Sequence, residues 1–245
     1  MALMPILQIE SEDVPELAIV CGDPFRAAAI AEKLDGAVEL GHAREYRSFK
    51  GRYKGAELVV VSHGVGCPGA AVCFEELIKA GVKTIIRVGT AGSLSGSYAA
   101  GSLIVSTAAA REDGLTRQLV PAGFPAAADS QVTDALYAAA LASNPPGAVA
   151  KGITLTIDAF FSGAVELPHE MYKRAGVIAV EMEISALYVI AALRGIRAGA
   201  IVALDGDSTA VDEGYDPHRN IVGEAVDAEI RAALEAMAAL ARQAS

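Results

Sequence analysis

Cysteine and long apolar runs are both scarce in this sequence. The 245 residues include three cysteines, Cys21, Cys67 and Cys73, which lie in apolar contexts and form no C-x-x-C motif. They are too few for a disulfide framework and favour a reducing cytoplasm. The longest apolar runs stop well short of a membrane span, and the N-terminal stretch "MALMPILQIESEDVPEL" turns acidic before a signal-like core develops. These features predict a cytoplasmic protein with no membrane partner.

Basic residues are also under-represented. The chain has 20 lysines and arginines against 30 acidic residues, for a net charge of -10, and no Lys/Arg cluster occurs. A polyanion would need a concentrated basic patch to overcome this field, so we expect no nucleic-acid partner. The histidines form no obvious metal-binding set, and we predict no metal; they are His42, His63, His169 and His218.

What the sequence does contain is a regular alternation of strand-like and helix-like segments. Apolar, β-branched runs without polar alternation indicate strands buried on both faces; they are "ELAIVCGD", "ELVVVSHG", "TIIRVGTAG", "SLIVSTAAA", "GITLTIDAF", "VIAVEME" and "GAIVALDGD". Helix-period segments lie between several of them, namely "PFRAAAIAEKL", "PGAAVCFEELIKAG" and "SQVTDALYAAALA", and an Ala-rich helix is predicted over 221–243. This pattern predicts one α/β domain over 1–245, with a mixed, largely parallel sheet flanked by helices.

Polar residues cluster where the predicted strands end, which is where open α/β sheets bind ligands. In "CGDPFR", Gly22 frees the backbone, Pro24 suits a first helical turn, and Arg26 lies on that turn. A helix N-terminus beside an arginine is an anion site. The alternative is an ordinary strand-to-helix turn with a surface arginine.

Arg87 is the most unusual residue of the third buried strand. It is embedded in the apolar run "IIRVGTAGS", where an unpaired guanidinium would be costly to bury. The hydroxyls and backbone N–H groups of residues 90–93 suit a phosphate and the edge of a planar heterocycle. The alternative is an internal ion pair, for instance with Glu75 or Glu76.

The stretch "VEME" places Glu181 and Glu183 on either side of Met182, between a strand and a helix. A carboxylate accepts hydrogen bonds from two hydroxyl groups, and methionine offers a soft apolar surface, so the triplet suits a sugar. The alternative is a solvated helix start, where acidic residues are favoured by the helix dipole.

Six motifs, taken together and in order, resemble those of the nucleoside phosphorylase family, which contains uridine phosphorylases and small-subunit purine nucleoside phosphorylases. They are "GDPFR", "HAREYRSF", "SHGVGCPGAAVCFEEL", "RVGTAGS", "DAFF" and "VEME". The likeness runs from about Leu17 to the last helix. It implies a phosphorylase/hydrolase-like fold and reversible cleavage of the N-glycosidic bond of a nucleoside by inorganic phosphate, the co-substrate. No other cofactor is implied, and the expected assembly is a homo-oligomer, a hexamer with shared active sites.

The resemblance also implies roles for individual residues. The phosphate site would consist of Gly22, Arg26, Arg87 and Thr90, with Arg44 contributed by a neighbouring subunit. The nucleoside site would consist of Thr90, Ala91, Gly92, Phe160, Glu181, Met182 and Glu183. In this set Glu183 and Met182 hold the sugar, Phe160 stacks on the base or sugar, and Glu181 lies near the base. Phe160 could instead be a core residue.

The chain departs from the family pattern in two places. Where purine-cleaving relatives carry an aspartate that protonates the base, Gly206 stands between Asp205 and Asp207. Arg219 has the spacing of the arginine that assists this acid, so we expect Asp207 to be the proton donor, with Asp205 in reserve, and Arg87 and Arg219 to assist catalysis. A turn-forming or calcium-like "DGDS" is the alternative. Secondly, Leu7 or Gln8 replaces the family's N-terminal histidine.

The preferred base is predicted from a missing segment. Uridine phosphorylases carry a glutamine and an arginine on an insertion after the aromatic strand, and "FFSGAVELPHEMYKRAG" lacks both. This favours a purine nucleoside, with uridine as the second candidate. Two further classes stay open: a nucleoside hydrolase, which would have little need for Arg26, Arg44 and Arg87, and a non-catalytic nucleoside-binding protein.

Overall fold

The computed structural model describes residues 2–208, 216 and 218–244. The strands are β1 (Leu3–Met4), β2 (Ile9–Glu10), β3 (Leu17–Cys21), β4 (Asp35–Ala43), β5 (Tyr46–Tyr53), β6 (Ala56–Ser62), β7 (Thr84–Ser93), β8 (Leu103–Glu112), β9 (Ala126–Ala127), β10 (Val149–Ile157), β11 (Ala179–Glu181) and β12 (Arg197–Asp207). The α-helices are α1 (Pro24–Ala31), α2 (Cys67–Ala80), α3 (Gly114–Leu119), α4 (Ser130–Ala142), α5 (His169–Arg174), α6 (Ile184–Arg194) and α7 (Asn220–Ala244).

One large mixed sheet organises the molecule, with strand order β11-β10-β8-β12-β7-β3-β6-β5-β4. The pairs β12–β7, β7–β3, β3–β6, β8–β10 and β10–β11 are parallel, whereas β12–β8 and the β4–β5–β6 edge are antiparallel. β11 also pairs with β7 in antiparallel orientation. Because β11 bonds to both β10 and β7, these strands close into a ring with β8 and β12, and the end of β7 is held next to the end of β11.

Helices cover both faces of the sheet. On one face α1, α4 and α7 pack against strand residues such as Ile19, Ile86 and Val88, whereas α2 and α6 pack against alternate residues of the same strands. Burial on both faces explains the continuous apolar strand sequences. The predicted α/β class, with a mixed sheet flanked by helices, is confirmed.

The edge hairpin β4–β5 was not predicted from the sequence. β4 is exposed along much of its length and none of its residues is buried, so it lacks the hydrophobic signal of the central strands. The three cysteines are buried free thiols. Within the described ranges, no helix is long and apolar enough to cross a bilayer.

Candidate active site

A cavity of about 610 Å³ opens beside the last residues of β7 and β12 and the residues that follow β3 and β11. Most residues predicted to bind ligand line it: Gly22, Arg26, Arg87, Thr90, Ala91, Gly92, Phe160, Glu181, Met182, Glu183, Asp205 and Asp207. Segments that are far apart in sequence therefore meet at one place, as expected for the strand ends of an α/β sheet.

Arg87 forms the charged centre of this cavity. Its side chain is only 5% exposed; its Nη2 atom donates a hydrogen bond to Glu183 and lies 3.6 Å from Glu181 Oε2. Both carboxylates raise the pKa of Arg87 against the opposing effect of burial. Among the described residues, no hydrogen-bond acceptor reaches Nε or Nη1. The guanidinium is therefore paired on one side only, and an anion could supply the missing acceptors.

The internal partner of Arg87 differs from the expected one. Glu75 accepts two hydrogen bonds of 2.9 Å from Arg194, and Glu76 accepts from the backbone N–H groups of Ile6 and Leu7. The proposed pairing of Arg87 with Glu75 or Glu76 was therefore wrong, because both glutamates are already engaged elsewhere. Arg87 pairs instead with the two glutamates of "VEME".

Glu181 caps helix α6 from inside the cavity wall. Its Oε2 atom accepts from the N–H groups of Glu183 and Ile184 at 2.7 and 2.9 Å, and its Oε1 atom accepts from the Thr156 hydroxyl at 2.5 Å. These bonds satisfy N–H groups that have no partner within the helix. Burial raises the pKa of Glu181, although Arg87 acts in the opposite direction. Glu181 thus fixes the backbone that carries Met182 and Glu183.

Glu183 joins two helix starts. Its Oε1 atom accepts a 2.6 Å hydrogen bond from the N–H of Gly66, which precedes α2, and its Oε2 atom accepts from Arg87. Burial by itself would raise the pKa of Glu183, but Arg87, His63 and the Gly66 N–H outweigh it, so the pKa is lowered. Since Glu183 and Glu181 are both buried, the solvated-helix interpretation of "EME" was wrong. An ionised carboxylate has about four acceptor sites, so two remain for sugar hydroxyls.

Arg26 approaches the cavity from the first turn of α1. The helix begins with Pro24, and Asp23 caps it by accepting a 2.9 Å hydrogen bond from the Phe25 N–H. The Arg26 side chain is 17% exposed, and its Nη1 atom lies 3.8 Å from Glu229 Oε1. Arg26 is therefore a cavity residue, and the surface-arginine alternative was wrong.

The "DGD" segment contains a β-bulge rather than a turn. The register of β12 against β7 passes from Leu204 opposite Ala91 to Gly206 opposite Gly92, which leaves Asp205 as an extra residue. A bulge changes the direction of neighbouring side chains. Asp205 is buried and Asp207 is exposed, and both line the cavity. The turn interpretation was wrong, because β12 continues through Asp207.

Arg219 lies beside the backbone of this bulge. Its Nη2 atom donates a 2.6 Å hydrogen bond to the carbonyl of Asp205, and its Nε atom donates a 3.1 Å hydrogen bond to the carbonyl of Asp216. Arg219 thereby links the segment before α7 to the end of β12.

Four other residues named from the sequence lie at the edge of the cavity or outside it. Phe160 is 44% exposed, lines the cavity, and packs edge-on against Phe161 with ring centroids 5.0 Å apart. Arg44 is exposed at the turn between β4 and β5 and does not line this cavity. Leu7 is fully buried in the core, whereas Gln8 is exposed, so only Gln8 could reach a neighbouring subunit.

The structure adds residues that the sequence did not single out. Glu45 and His169 line the cavity; Glu45 packs over Gly64, where an added Cβ would lie 2.8 Å from Glu45 Cγ. Burial lowers the pKa of His169. An added Cβ at Gly89 would overlap the Arg87 guanidinium. The glycine-rich "SHGVGCPG" could have indicated close approach at Gly64, but no sequence signal places His169.

No group of three or more His, Cys, Asp or Glu side chains in the described part of the chain is arranged to hold a metal ion.

Comparison with known proteins agrees with this geometry. The profile of the phosphorylase superfamily matches residues 16–244. A purine nucleoside phosphorylase of Plasmodium falciparum is 38% identical over 242 residues, covering 98% of this chain and 97% of that protein. A uridine phosphorylase of Haemophilus influenzae is 36% identical over 201 residues, covering 77% of this chain and 79% of that protein. The crystal structure of a Toxoplasma gondii purine nucleoside phosphorylase in complex with immucillin-H superposes with a TM-score of 0.94, at 36% identity, over 99% of this chain and 98% of that one.

The chain belongs to the phosphorylase superfamily, among the nucleoside phosphorylases, which are pentosyltransferases. The family expected from its motifs is confirmed.

Proposed function

We propose that this protein cleaves purine nucleosides with inorganic phosphate to give a free base and a pentose 1-phosphate. The observation that carries the proposal is the meeting of two kinds of site in one cavity. Arg26, Arg87 and Thr90 supply anion-binding groups, while Met182 and Glu183 supply a sugar platform. Arg87 belongs to both sites, since it pairs with Glu183 and has further donors for an anion.

In this reaction phosphate attacks C1' of the sugar as the C1'–N bond breaks. The electron pair of that bond goes to the base, which takes up a proton. The transition state has oxocarbenium character, as in glycoside cleavage, so no protein nucleophile is required. The enzyme contributes by holding phosphate below C1', by fixing the sugar hydroxyls on Glu183, and by stabilising charge on the departing base. Asp207 is the proposed proton donor, with Asp205 as the alternative.

Two observations support a purine as the base. The segment between β10 and α5 is short and lacks the glutamine and arginine pair expected of uridine phosphorylases. The Toxoplasma purine nucleoside phosphorylase also superposes with a TM-score of 0.94 at 36% identity, whereas a uridine phosphorylase of Vibrio fischeri superposes with a TM-score of 0.88 at 28% identity. Uridine is the second candidate.

The active unit is proposed to be a homo-oligomer, a hexamer in which Arg44 completes the phosphate site of a neighbouring subunit. The exposed position of Arg44, outside the cavity of its own chain, supports this assignment. The three buried free thiols fit a cytoplasmic enzyme.

A substrate panel tests the proposal. Inosine, adenosine, guanosine, methylthioadenosine and uridine would each be incubated with and without phosphate, and free base and pentose 1-phosphate would be quantified. We expect phosphate-dependent release, fastest with a purine nucleoside. Base release without phosphate would instead indicate a hydrolase, and binding without release would indicate a nucleoside-binding protein. Fastest cleavage of uridine would overturn the purine preference alone.

A further inference from the structure

Glu229 is a fully buried carboxylate behind the cavity. It lies on α7, among alanine and aliphatic residues of the core, and its side chain is 0% exposed. Its Oε1 atom is 3.8 Å from Arg26 Nη1, which is within ion-pair range but too far for a hydrogen bond. Among the described residues, no donor reaches either carboxylate oxygen with normal hydrogen-bond geometry. Burying a carboxyl group without hydrogen-bond partners destabilises the fold, so its presence here calls for a functional explanation.

The surroundings of Glu229 decide its protonation. Among the described residues, the cations Arg26 of α1 and Arg87 of β7 and the thiol of Cys21 on β3 face it, and the backbone N–H groups of Gly89 and Ala203 also favour its charged form. Burial raises the pKa of Glu229 to about 8, although both arginines oppose this shift. Burial also raises the pKa of Cys21 to about 12, so the thiol stays neutral wherever Glu229 titrates.

Arg26 therefore has two possible counter-ions. One is Glu229 on the core side, the carboxylate that lies within 4 Å of its guanidinium among the described residues; the other is an anion bound in the cavity that Arg26 lines. A phosphate dianion at Arg26 would repel a charged Glu229 but not a neutral one. Anion binding and protonation of Glu229 must consequently favour each other, by an equal factor in both directions.

We propose that Glu229 is a positioning residue for phosphate: it faces the Arg26 guanidinium from the core side and, where it is ionised, takes up a proton when phosphate binds. This inference rests on the proposed phosphorylase function. Glu229 does not contact the substrate itself; it acts through Arg26.

The proposal predicts a specific pH profile. Above about pH 8, phosphate must bind with uptake of one proton, so the KM for phosphate should rise with pH, approaching tenfold per pH unit. Glu229→Gln is permanently neutral and keeps the side-chain volume. Its KM for phosphate should stay near the neutral-pH value of the wild type, with the rise above pH 8 lost and kcat little changed. Glu224→Gln, which alters an exposed carboxylate on the same helix, is the matched control and should reproduce the wild-type profile.

A second measurement needs no variant. Phosphate binding to the wild-type protein at about pH 8.5 would be followed by calorimetry in two buffers with different ionisation enthalpies. We expect uptake of a substantial fraction of a proton at pH 8.5, and no uptake at pH 6.5, where Glu229 is already protonated and phosphate itself must lose a proton to bind as the dianion. An unchanged pH profile in folded Glu229→Gln, or binding at pH 8.5 without proton uptake, would overturn the inference. Absence of any phosphate-dependent base release by the wild type would instead overturn the proposed function.

Discussion

Arg87 donates a hydrogen bond through Nη2 to Glu183, and both side chains are almost completely buried. The residue proposed to bind phosphate thus holds the residue proposed to bind the sugar. The two substrates of a phosphorolysis reaction must be fixed relative to each other before bond exchange, because a misplacement of about 1 Å can cost a hundredfold in rate. This ion pair fixes the proposed phosphate site and the proposed sugar site relative to each other.

Replacing Arg87 should impair phosphate use and folding together. Arg87→Ala removes charge-assisted contacts, which we expect to cost about 2 to 4 kcal/mol of transition-state stabilisation. It also leaves Glu181 and Glu183 buried without a cation, a change typically worth about 3 to 5 kcal/mol of folding stability. Initial rates at varied phosphate, together with urea unfolding, would measure both effects. An unchanged phosphate dependence in a folded variant would exclude Arg87 from the phosphate site.

Gly89→Ala offers a milder perturbation of the same guanidinium. The new methyl group would overlap Arg87, so the guanidinium must move away from its present position. We expect a KM for phosphate raised at least tenfold, because the cavity still contains the charge but in the wrong place. Gly96→Ala is the control, since an added Cβ there meets no atom within 4 Å. Equal phosphate kinetics in the two variants would contradict the prediction.

Subunits carrying different defects should complement each other. If Arg44 acts in a neighbouring active site, Arg44→Ala and Glu183→Ala subunits are each inactive alone. Mixed oligomers should regain part of the wild-type activity, because some sites then contain both native residues. The assay is dissociation and reassembly of differently tagged subunits, followed by purification through both tags. Doubly tagged oligomers with no activity would show that the site is not shared.

Asp207 and Asp205 can be distinguished by their amide variants. General-acid assistance contributes roughly a hundredfold to ten-thousandfold, so Asp207→Asn should slow purine cleavage within that range while leaving the KM for phosphate nearly constant. Substrates whose leaving base is already activated should be affected much less. Asp205→Asn serves as the comparison; a large loss there, with Asp207→Asn silent, would transfer the role to the bulged residue.

Glu229 should make the protein less stable as pH rises. Its pKa in the folded state, about 8, lies above the ordinary value of 4.5, so between these values the folded chain keeps a proton that the unfolded chain releases. The free energy of unfolding then falls with pH, by on the order of 3 to 5 kcal/mol across the window for this one group. Urea unfolding of the wild type and Glu229→Gln at pH 5 and pH 8.5 should show the difference between them growing in favour of the variant. A constant difference would contradict the raised pKa.

Local sequence pattern was sufficient to predict the α/β class, the central strands and a candidate site at their ends. These features follow from local pattern: continuous apolar runs require a sheet buried on both faces, and glycine, arginine and acidic residues at strand ends have no role in such a core. The order of the motifs determined the family as well. The edge hairpin β4–β5 was not predicted, because β4 has no buried apolar face that would produce a hydrophobic pattern in the sequence.

Which charged side chains pair with each other depends on the tertiary fold. Arg87 lies 96 residues from Glu183 in the chain, and nothing in either segment distinguishes that pairing from one with Glu75 or Glu76. The bulge at Asp205 depends on register against β7, and the position of Glu229 behind Arg26 depends on how α7 packs on the sheet. Burial and electrostatic pairing are properties of the assembled core, so a chain read residue by residue can indicate the need for a counter-ion but not which residue supplies it.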